Sequence, residues 1–255
     1  SEAPVSSDAP EASETPAQTG APQSSTAPAD SGAAESSDAP QNSGAPEVIS
    51  RGPSTSRKIA YITIDDGPSR AVTPAILDVL RDEGVKATFF VLPHANVSDL
   101  YRRILEEGHA IGNHTFSHDY KLLYVPDDVD AFRDDVLKMR DYIQSLYGYD
   151  MKVFRFPGGT MGRPEPVLAP RRTVLLEFGY KTFDWDISVG DAAADASAKN
   201  PDALVSNVLN NLGSRERPIL LMHDSAGKSA TPEALKRIIE TLRDKGYVFD
   251  TLENY

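Results

Sequence analysis

From residue 58 onward, short runs of β-branched and aromatic residues alternate with longer stretches in which apolar residues recur at helical spacing. This alternation is typical of a parallel α/β fold, because each strand is followed by a helix that packs back onto the sheet. The pattern predicts seven strands, at residues 59–65, 87–92, 110–113, 153–156, 180–186, 219–223 and 248–251.

Helices are predicted between these strands from apolar residues three and four positions apart. The longest helix is predicted from Val129, Phe132, Val136, Met139 and Ile143. Three later helices are predicted with a proline near the start, at about 170–178, 201–212 and 232–245. Seven βα units either close into a slightly short barrel or form an open, doubly wound sheet. In both folds, active groups are expected at the carboxyl ends of the strands.

The first fifty residues differ from the rest in composition, because they contain no aromatic residue, no Lys and no Arg. Such a segment buries too little apolar surface to offset the entropy lost on ordering. We therefore predict a disordered Ser/Ala/Pro/Glu-rich tail or linker at 1–52 and one folded domain at 53–255. Eight acids of the tail account for most of the net charge of −12, so residues 51–255 carry only −4. This mild acidity gives no indication of nucleic-acid binding.

The sequence indicates the location of the protein in the cell only through indirect features. No run of about eighteen apolar residues occurs, so no membrane span is expected in the chain as given. The chain starts at Ser1 without a charged leader, and we expect that a signal peptide or anchor was removed. With the tail as a tether, this favours an extracellular or cell-surface protein. The absence of cysteine excludes thiolate metal sites and cysteine nucleophiles, but it does not decide the compartment.

Chemically versatile residues follow five of the seven predicted strands. In chain order they are Asp65 and Asp66, His114 and His118, Arg155 and Pro157, Asp191, and His223 with Asp224. Because the carboxyl ends of parallel strands meet at one rim, we expect these side chains to converge there.

Two of these groups indicate particular chemistry. His114 and His118, four residues apart, can bind one divalent ion from one helix turn or from a tight loop. Asp65 and Asp66 are neighbours after an apolar strand, where consecutive side chains point to opposite faces, so we expect two different roles. Arg155 is either a structural ion-pair partner or part of the site, and Trp185 is interpreted as a core aromatic residue.

Five motifs in order resemble those of the NodB-type polysaccharide deacetylases of carbohydrate esterase family 4. They are TIDDGP (63–68), HTFSH (114–118), RFPGG (155–159), SVGDA (188–192) and LLMHD (220–224). The resemblance spans residues 58–251, nearly the whole folded part. It implies a distorted (β/α) barrel of about seven units, dependence on a divalent metal, and removal of acetyl groups from acetylated sugars.

The resemblance also implies a role for each matching residue. Asp66, His114 and His118 would bind the metal, with zinc favoured over cobalt, nickel or iron. Asp65 would be the general base toward a metal-bound water, with Arg155 lowering its pKa. The general acid would be His223, paired with Asp191. The N–H of Gly158 would bind the oxyanion, and Pro157 and Leu221 would line the substrate pocket.

Three residues depart from the family pattern. Ile64 replaces a usual Phe, Ser188 stands where the fourth motif often has an Asp, and Ala192 replaces a Trp that often walls the acetyl pocket. Asp184 and Asp186 are close in sequence to Asp191, so either of them is an alternative partner for His223.

The substrate favoured at this point is N-acetylglucosamine of peptidoglycan, over chitin oligomers and acetylxylan. The alternatives are a non-catalytic wall-binding module of the same fold and, less favoured, an iron oxygenase with the same ligand types. We expect a monomer whose partner is a polysaccharide, with no nucleic-acid ligand and no membrane contact by the domain itself.

Overall fold

The computed structural model describes residues 57–255. The predicted tail at 1–52 and the predicted domain boundary lie outside these described residues. The strands are β1 Ile59–Asp65, β2 Thr88–Val91, β3 Ala110–Asn113, β4 Val153–Phe154, β5 Lys181–Thr182, β6 Ile187–Ser188, β7 Ile219–His223 and β8 Val248–Phe249. The helices are α1 Thr73–Asp82, α2 Ser98–Glu106, α3 Tyr120–Leu123, α4 Asp130–Tyr147, α5 Glu165–Glu177, α6 Pro201–Leu212 and α7 Thr231–Asp244. Short 3₁₀ turns occur at Ala196–Lys199 and Leu252–Asn254.

The eight strands form one sheet in the order β5-β4-β3-β2-β1-β7-β6, and β8 pairs with β1. All the pairings are parallel. The central strand β1 pairs with β8 through Ile59 and Ala60, and with β2 through Thr63 to Asp65. Its other edge pairs with β7 along Tyr61 to Asp65. β1 therefore connects the two halves of the sheet.

The sheet is strongly curled. Strands β5 and β6 lie at opposite ends of the seven-strand path, which would be about 29 Å wide if flat, at about 4.8 Å between strands. Only residues 183–186 connect β5 to β6, and such a segment spans at most about 18 Å. The two ends must therefore approach each other, which confirms the distorted (β/α) barrel predicted from the resemblance.

Side chains alternate between two apolar cores. Ala60, Ile62 and Ile64 of β1 face the outer core, which lies between the sheet and the helices. Tyr61, on the opposite face, packs inside the barrel with a smaller set of buried residues: Phe90, Val153, Ile219 and Leu252. The inner face of β1 ends at Asp65, so the strand delivers a carboxylate to the mouth of the barrel.

The strands predicted at 153–156 and 248–251 are shorter in the structure, and two other predicted elements differ more. The predicted strand at 180–186 is two strands, because the chain leaves β4 after Thr182 and joins β7 at Ile187. The helix predicted from Pro170 begins at Glu165 and contains Pro170 in its interior. Its buried residues Leu168, Arg171, Val174 and Leu175 show that packing of one helical face overrides this proline. None of the described helices is long and apolar enough to cross a membrane.

Candidate active site

The two neighbouring aspartates are separated by the backbone. Asp65 ends β1 inside the barrel and is 3% exposed, whereas Asp66 has a φ of +76° and turns away from the strand. The N–H of Asp66 donates to the carbonyl of Phe90 at 3.1 Å, and its own carbonyl lies 2.9 Å from Nε2 of His94. These contacts fix the left-handed residue, so that the two carboxylates have different partners, Arg155 for Asp65 and the two histidines for Asp66.

His114 and His118 lie on a tight loop after β3, the second of the two arrangements left open by their spacing. Their rings are 5.0 Å apart between centroids. Thr115 and His118 have φ values of +71° and +53°. One carboxylate oxygen of Asp135 accepts the N–H groups of Phe116 and Ser117 at 2.7 and 3.0 Å, which holds the loop in this shape.

Asp66, His114 and His118 form a triad whose ligand atoms all lie within 4.8 Å of one another. Each histidine places Nε2 at 3.5 Å from Oδ1 of Asp66. When two ligand atoms bind one tetrahedral Zn²⁺ at normal bond lengths, the distance between those two atoms is roughly 3.3–3.4 Å. The spacing of the triad therefore fits a divalent metal ion such as Zn²⁺.

His114 is also in the protonation state that a ligand requires. Its Nδ1 lies 2.9 Å from the carbonyl oxygen of Arg155, so Nδ1 donates and Nε2 keeps its lone pair. Burial is the main cause that lowers the pKa of His114 to about 3, so the imidazole is neutral near pH 7.

Asp65 and Arg155 form a buried ion pair, with Nη1 of Arg155 at 2.8 Å from Oδ1 of Asp65. The same nitrogen donates to Thr63 Oγ1 at 2.7 Å, and the other guanidinium nitrogens donate to the carbonyls of Phe183 and Asp184, both at 3.1 Å. The pairing expected from the resemblance is therefore present. It crosses from the end of β4 to β1, which the curl of the sheet allows.

The expected direction of the Asp65 pKa was wrong. Burial raises the pKa of Asp65 above its ordinary value, and the opposing attraction of Arg155 is smaller. The sequence identified the cation but not the loss of solvent around the carboxylate, which disfavours its charged form. Oδ2 of Asp65 lies 3.7 Å from Nε2 of His114, so a cation bound by the triad would favour the carboxylate.

His223 and Asp191 form the second pair. Nδ1 of His223 lies 2.9 Å from Oδ1 of Asp191, while Oδ2 accepts from the His223 N–H at 2.8 Å and from Thr231 Oγ1 at 2.9 Å. Burial by itself would lower the pKa of His223, but the hydrogen bond and charge of Asp191 outweigh it, and the pKa is raised. Asp191 is thus the partner, and Asp184 and Asp186 are not. Asp184 binds Thr160, and Asp186 accepts from the N–H of Ile219.

The two pairs meet across neighbouring strands, since Asp65 and His223 are register partners in the pairing of β1 with β7. Gly158 is exposed, and its N–H is bonded to no group in the part of the chain that the structure describes. Pro157 is buried beside it, and Leu221 lies two residues before His223 and is 5% exposed. Two ion pairs, the triad and an N–H donor with no partner within residues 57–255 therefore surround one mouth.

Comparison with known proteins identifies the family. The family model described as polysaccharide deacetylase matches residues 52–182. A Bacillus cereus peptidoglycan-N-acetylglucosamine deacetylase is 33% identical over 206 residues, which cover 79% of this chain and 69% of that protein. The chain belongs to the polysaccharide deacetylase family.

Solved structures agree with this polysaccharide deacetylase assignment. A Streptococcus mutans CE4 esterase superposes with a TM-score of 0.71 at 30% identity, covering 77% of this chain and 86% of that chain. The catalytic domain of a peptidoglycan N-acetylglucosamine deacetylase from Eubacterium rectale gives a TM-score of 0.68 at 32% identity, with coverages of 76% and 88%. The protein is therefore an enzyme, a polysaccharide deacetylase of carbohydrate esterase family 4.

Two of the three departures from the deacetylase pattern have a structural account. Oγ of Ser188 accepts the N–H of Gly190 at 3.2 Å, so it stabilises the turn that presents Asp191. Ile64 lies in the outer core and is fully buried, where an apolar side chain suffices. Ala192 is exposed, and its departure from the pattern has no structural explanation within residues 57–255.

Several supporting residues of this deacetylase were not predicted from the sequence. Asp135 is 7% exposed on the buried face of α4, among the apolar residues used to predict that helix. A carboxylate in an apolar stripe was the signal that could have identified it. His94 contacts the backbone carbonyl of Asp66. Asn113 accepts from the N–H of Thr115 at 2.8 Å, although its position inside a short strand gives no such signal.

Proposed function

We propose that this polysaccharide deacetylase removes the acetyl group from N-acetylglucosamine units of peptidoglycan. The observation that carries the proposal is the pair of oppositely partnered groups on adjacent strands. Asp65 contacts the Arg155 cation, whereas His223 contacts the Asp191 anion, and both flank the metal triad. Such an arrangement separates a proton acceptor from a proton donor, as amide hydrolysis requires.

The triad of Asp66, His114 and His118 would hold the metal, and Zn²⁺ is our proposed native ion because the donor set and its spacing suit it. A bound divalent cation would supply Lewis acidity, which lowers the pKa of water and polarises the acetyl carbonyl.

The residues of this chain then divide the proton transfers. Asp65 accepts a proton from the attacking water as the water oxygen bonds to the acetyl carbon. The N–H of Gly158 donates to the developing oxyanion. As the C–N bond breaks, His223 donates its Nε2 proton to the leaving nitrogen, because Nδ1 is held by Asp191. The products are acetate and a free amine on the sugar.

The test is acetate release from peptidoglycan, chitin oligomers and acetylxylan, with metal-stripped protein and with Zn²⁺- or Co²⁺-reloaded protein. We expect metal-dependent release that is fastest from peptidoglycan. Faster release from chitin oligomers or acetylxylan would reassign the substrate. No release from any of them at full metal occupancy would contradict deacetylation and favour the wall-binding alternative.

For localisation we propose a monomeric, cell-surface enzyme, with residues 1–52 as the tether. Support comes from the composition of that segment and from the wall-associated substrate in the names of the relatives. Deleting residues 1–50 should leave turnover of soluble oligosaccharides within about twofold while reducing activity on intact cells. A large loss on soluble substrates would contradict the tether.

A further inference from the structure

An exposed aromatic side chain stands beside the metal triad without a role in the chemistry above. Tyr120 begins α3, two residues after His118. Its ring meets the ring of His118 edge to face, with centroids 5.4 Å apart and an interplanar angle of 75°. It is 45% exposed, although large apolar and aromatic side chains in this chain are mostly buried.

Tyr120 is held in place by a layered support, which we call the tyrosine stack and which consists of Tyr120, Tyr124 and Arg163. The rings of Tyr120 and Tyr124 stack with centroids 6.0 Å apart at 23°, and the Arg163 guanidinium lies 3.6 Å from the centroid of Tyr124. The hydroxyl of Tyr124 and Nη2 of Arg163 donate to the carbonyl of Pro157 at 2.9 and 3.1 Å. The stack is therefore attached to the loop that carries Gly158.

The hydroxyl end of Tyr120 reaches this loop. A Cβ placed on Gly158 would lie 2.8 Å from the Tyr120 oxygen, so the phenol sits directly over that glycine. Within residues 57–255, no hydrogen-bond partner is found for this hydroxyl. The ring thus spans the distance from a metal-ligand histidine to the proposed oxyanion donor, with a free polar group at one end.

We propose that Tyr120 is a substrate-binding residue that recognises the sugar ring bearing the acetyl group. The exposed ring would pack against the C–H face of a pyranose, and the hydroxyl would donate to an oxygen of the same sugar. This inference rests on the proposed function, since an acetyl group at the triad places its sugar within a few bonds of His118. A rigid, amphipathic aromatic residue is suited to this contact because little side-chain entropy is lost on binding.

The test compares a sugar substrate with a minimal one. Zn²⁺-loaded wild type, Tyr120→Phe and Tyr120→Ala are assayed on the tetramer of N-acetylglucosamine and on 4-nitrophenyl acetate, which has no sugar. We expect Tyr120→Ala to raise KM for the tetramer roughly tenfold, with a much smaller effect on the aryl ester. Tyr120→Phe should raise KM for the tetramer about fivefold or less, because this change removes only one hydrogen bond.

Leu122→Ala is the matched control, since Leu122 is a 38% exposed side chain of the same four-residue helix, and residues two apart do not share a helix face. It should leave both activities within twofold of wild type. Equal losses on tetramer and ester in Tyr120→Ala would overturn the proposal, because the ring would then be a support of the catalytic loop. An unchanged KM for the tetramer would overturn it as well.

A binding measurement separates this inference from the proposed function. Tetramer is titrated calorimetrically into Zn²⁺-loaded Asp65→Asn, which should not turn over, and into Asp65→Asn/Tyr120→Ala. Roughly tenfold weaker binding in the double variant supports the role of Tyr120, even if wild type releases no acetate and the proposed function fails. Equal binding by both proteins, or binding by neither, would overturn the inference.

Discussion

The proposed base side of the mouth is the Asp65–Arg155 pair, and the proposed acid side is the His223–Asp191 pair. The two sides are built differently. Arg155 reaches Asp65 from β4, which is separated from β1 by two intervening strands. Asp191 reaches His223 between the neighbouring strands β6 and β7. The base side therefore depends on the curl of the whole sheet, whereas the acid side depends on one local strand pair and the start of α7.

The electrostatics of the two sides also differ. Burial raises the pKa of Asp65 despite the adjacent guanidinium, and it is the Asp191 carboxylate that raises the pKa of His223 despite burial. Both pKa values therefore lie above their ordinary values, that of Asp65 because of burial and that of His223 because of its partner. A raised pKa keeps His223 protonated to higher pH, as a proton donor requires.

The largest effect is expected from Asp65→Asn, which removes the proton acceptor on the base side. The expected loss of kcat on an N-acetylated oligosaccharide is about 10⁴-fold, the upper end for a general base, because the amide cannot accept the proton. Metal content, measured by elemental analysis, should stay near one ion per chain. Loss of the ion along with activity would instead make Asp65 part of the metal site.

His223→Ala should lower kcat about 10²- to 10³-fold on the same amide substrate, since the nitrogen leaves poorly without a proton. The loss on 4-nitrophenyl acetate should be much smaller, because nitrophenolate needs no acid to leave. The comparison uses kcat for both substrates with one batch of Zn²⁺-loaded protein. Equal losses on the two substrates would argue against the acid role.

Asp135→Leu tests the support of the histidine loop and should weaken metal affinity by about 10- to 100-fold, the range for partners that orient ligands. Asp135→Asn is the matched control, since an amide oxygen still accepts from Phe116 and Ser117. Affinity is measured by competition with a chromogenic chelator, and folding is checked by thermal unfolding. Unchanged affinity in a folded Asp135→Leu protein would remove Asp135 from the support of the site.

The smallest effect is expected from Asp191→Asn, and it should appear mainly in the pH profile. In the proposed mechanism His223 acts in its protonated form, which exists below its pKa, so the raised pKa should extend activity to higher pH. Removing the negative charge lowers that pKa, and the alkaline limb of kcat should move to lower pH. Activity above neutral pH should fall about tenfold, with little change at pH 6. An unmoved alkaline limb would show that the limb belongs to another group.

The base side was the easier to predict from sequence. The alternation in β1 ends at Asp65 and Asp66, and the strand prediction 59–65 matches the structure. The resemblance predicted the pairing of Arg155 with Asp65, and the structure contains that contact. Burial, however, is a property of the assembled barrel, so the direction of the Asp65 pKa could not be read from neighbouring residues.

The acid side was harder to predict because the strand pairing changes within one stretch of alternating apolar and polar residues. Phe183, Asp184, Trp185 and Asp186 alternate like a continuing strand, and no local signal marks the change of partner from β4 to β7. The choice among three nearby aspartates likewise depended on tertiary geometry, since only Asp191 lies on the turn after β6. Tyr120 was not singled out, because one tyrosine in a polar loop has no periodicity.

The short chain segment at 183–186 has a consequence for association with other molecules. An open sheet presents unpaired N–H and C=O groups along its outer strands, where a strand of another chain can add. Here the two outer strands, Lys181–Thr182 and Ile187–Ser188, have only two residues each, and the segment between them turns across the gap. So little free edge offers almost no template for strand addition, which protects an incompletely closed barrel from edge-to-edge aggregation.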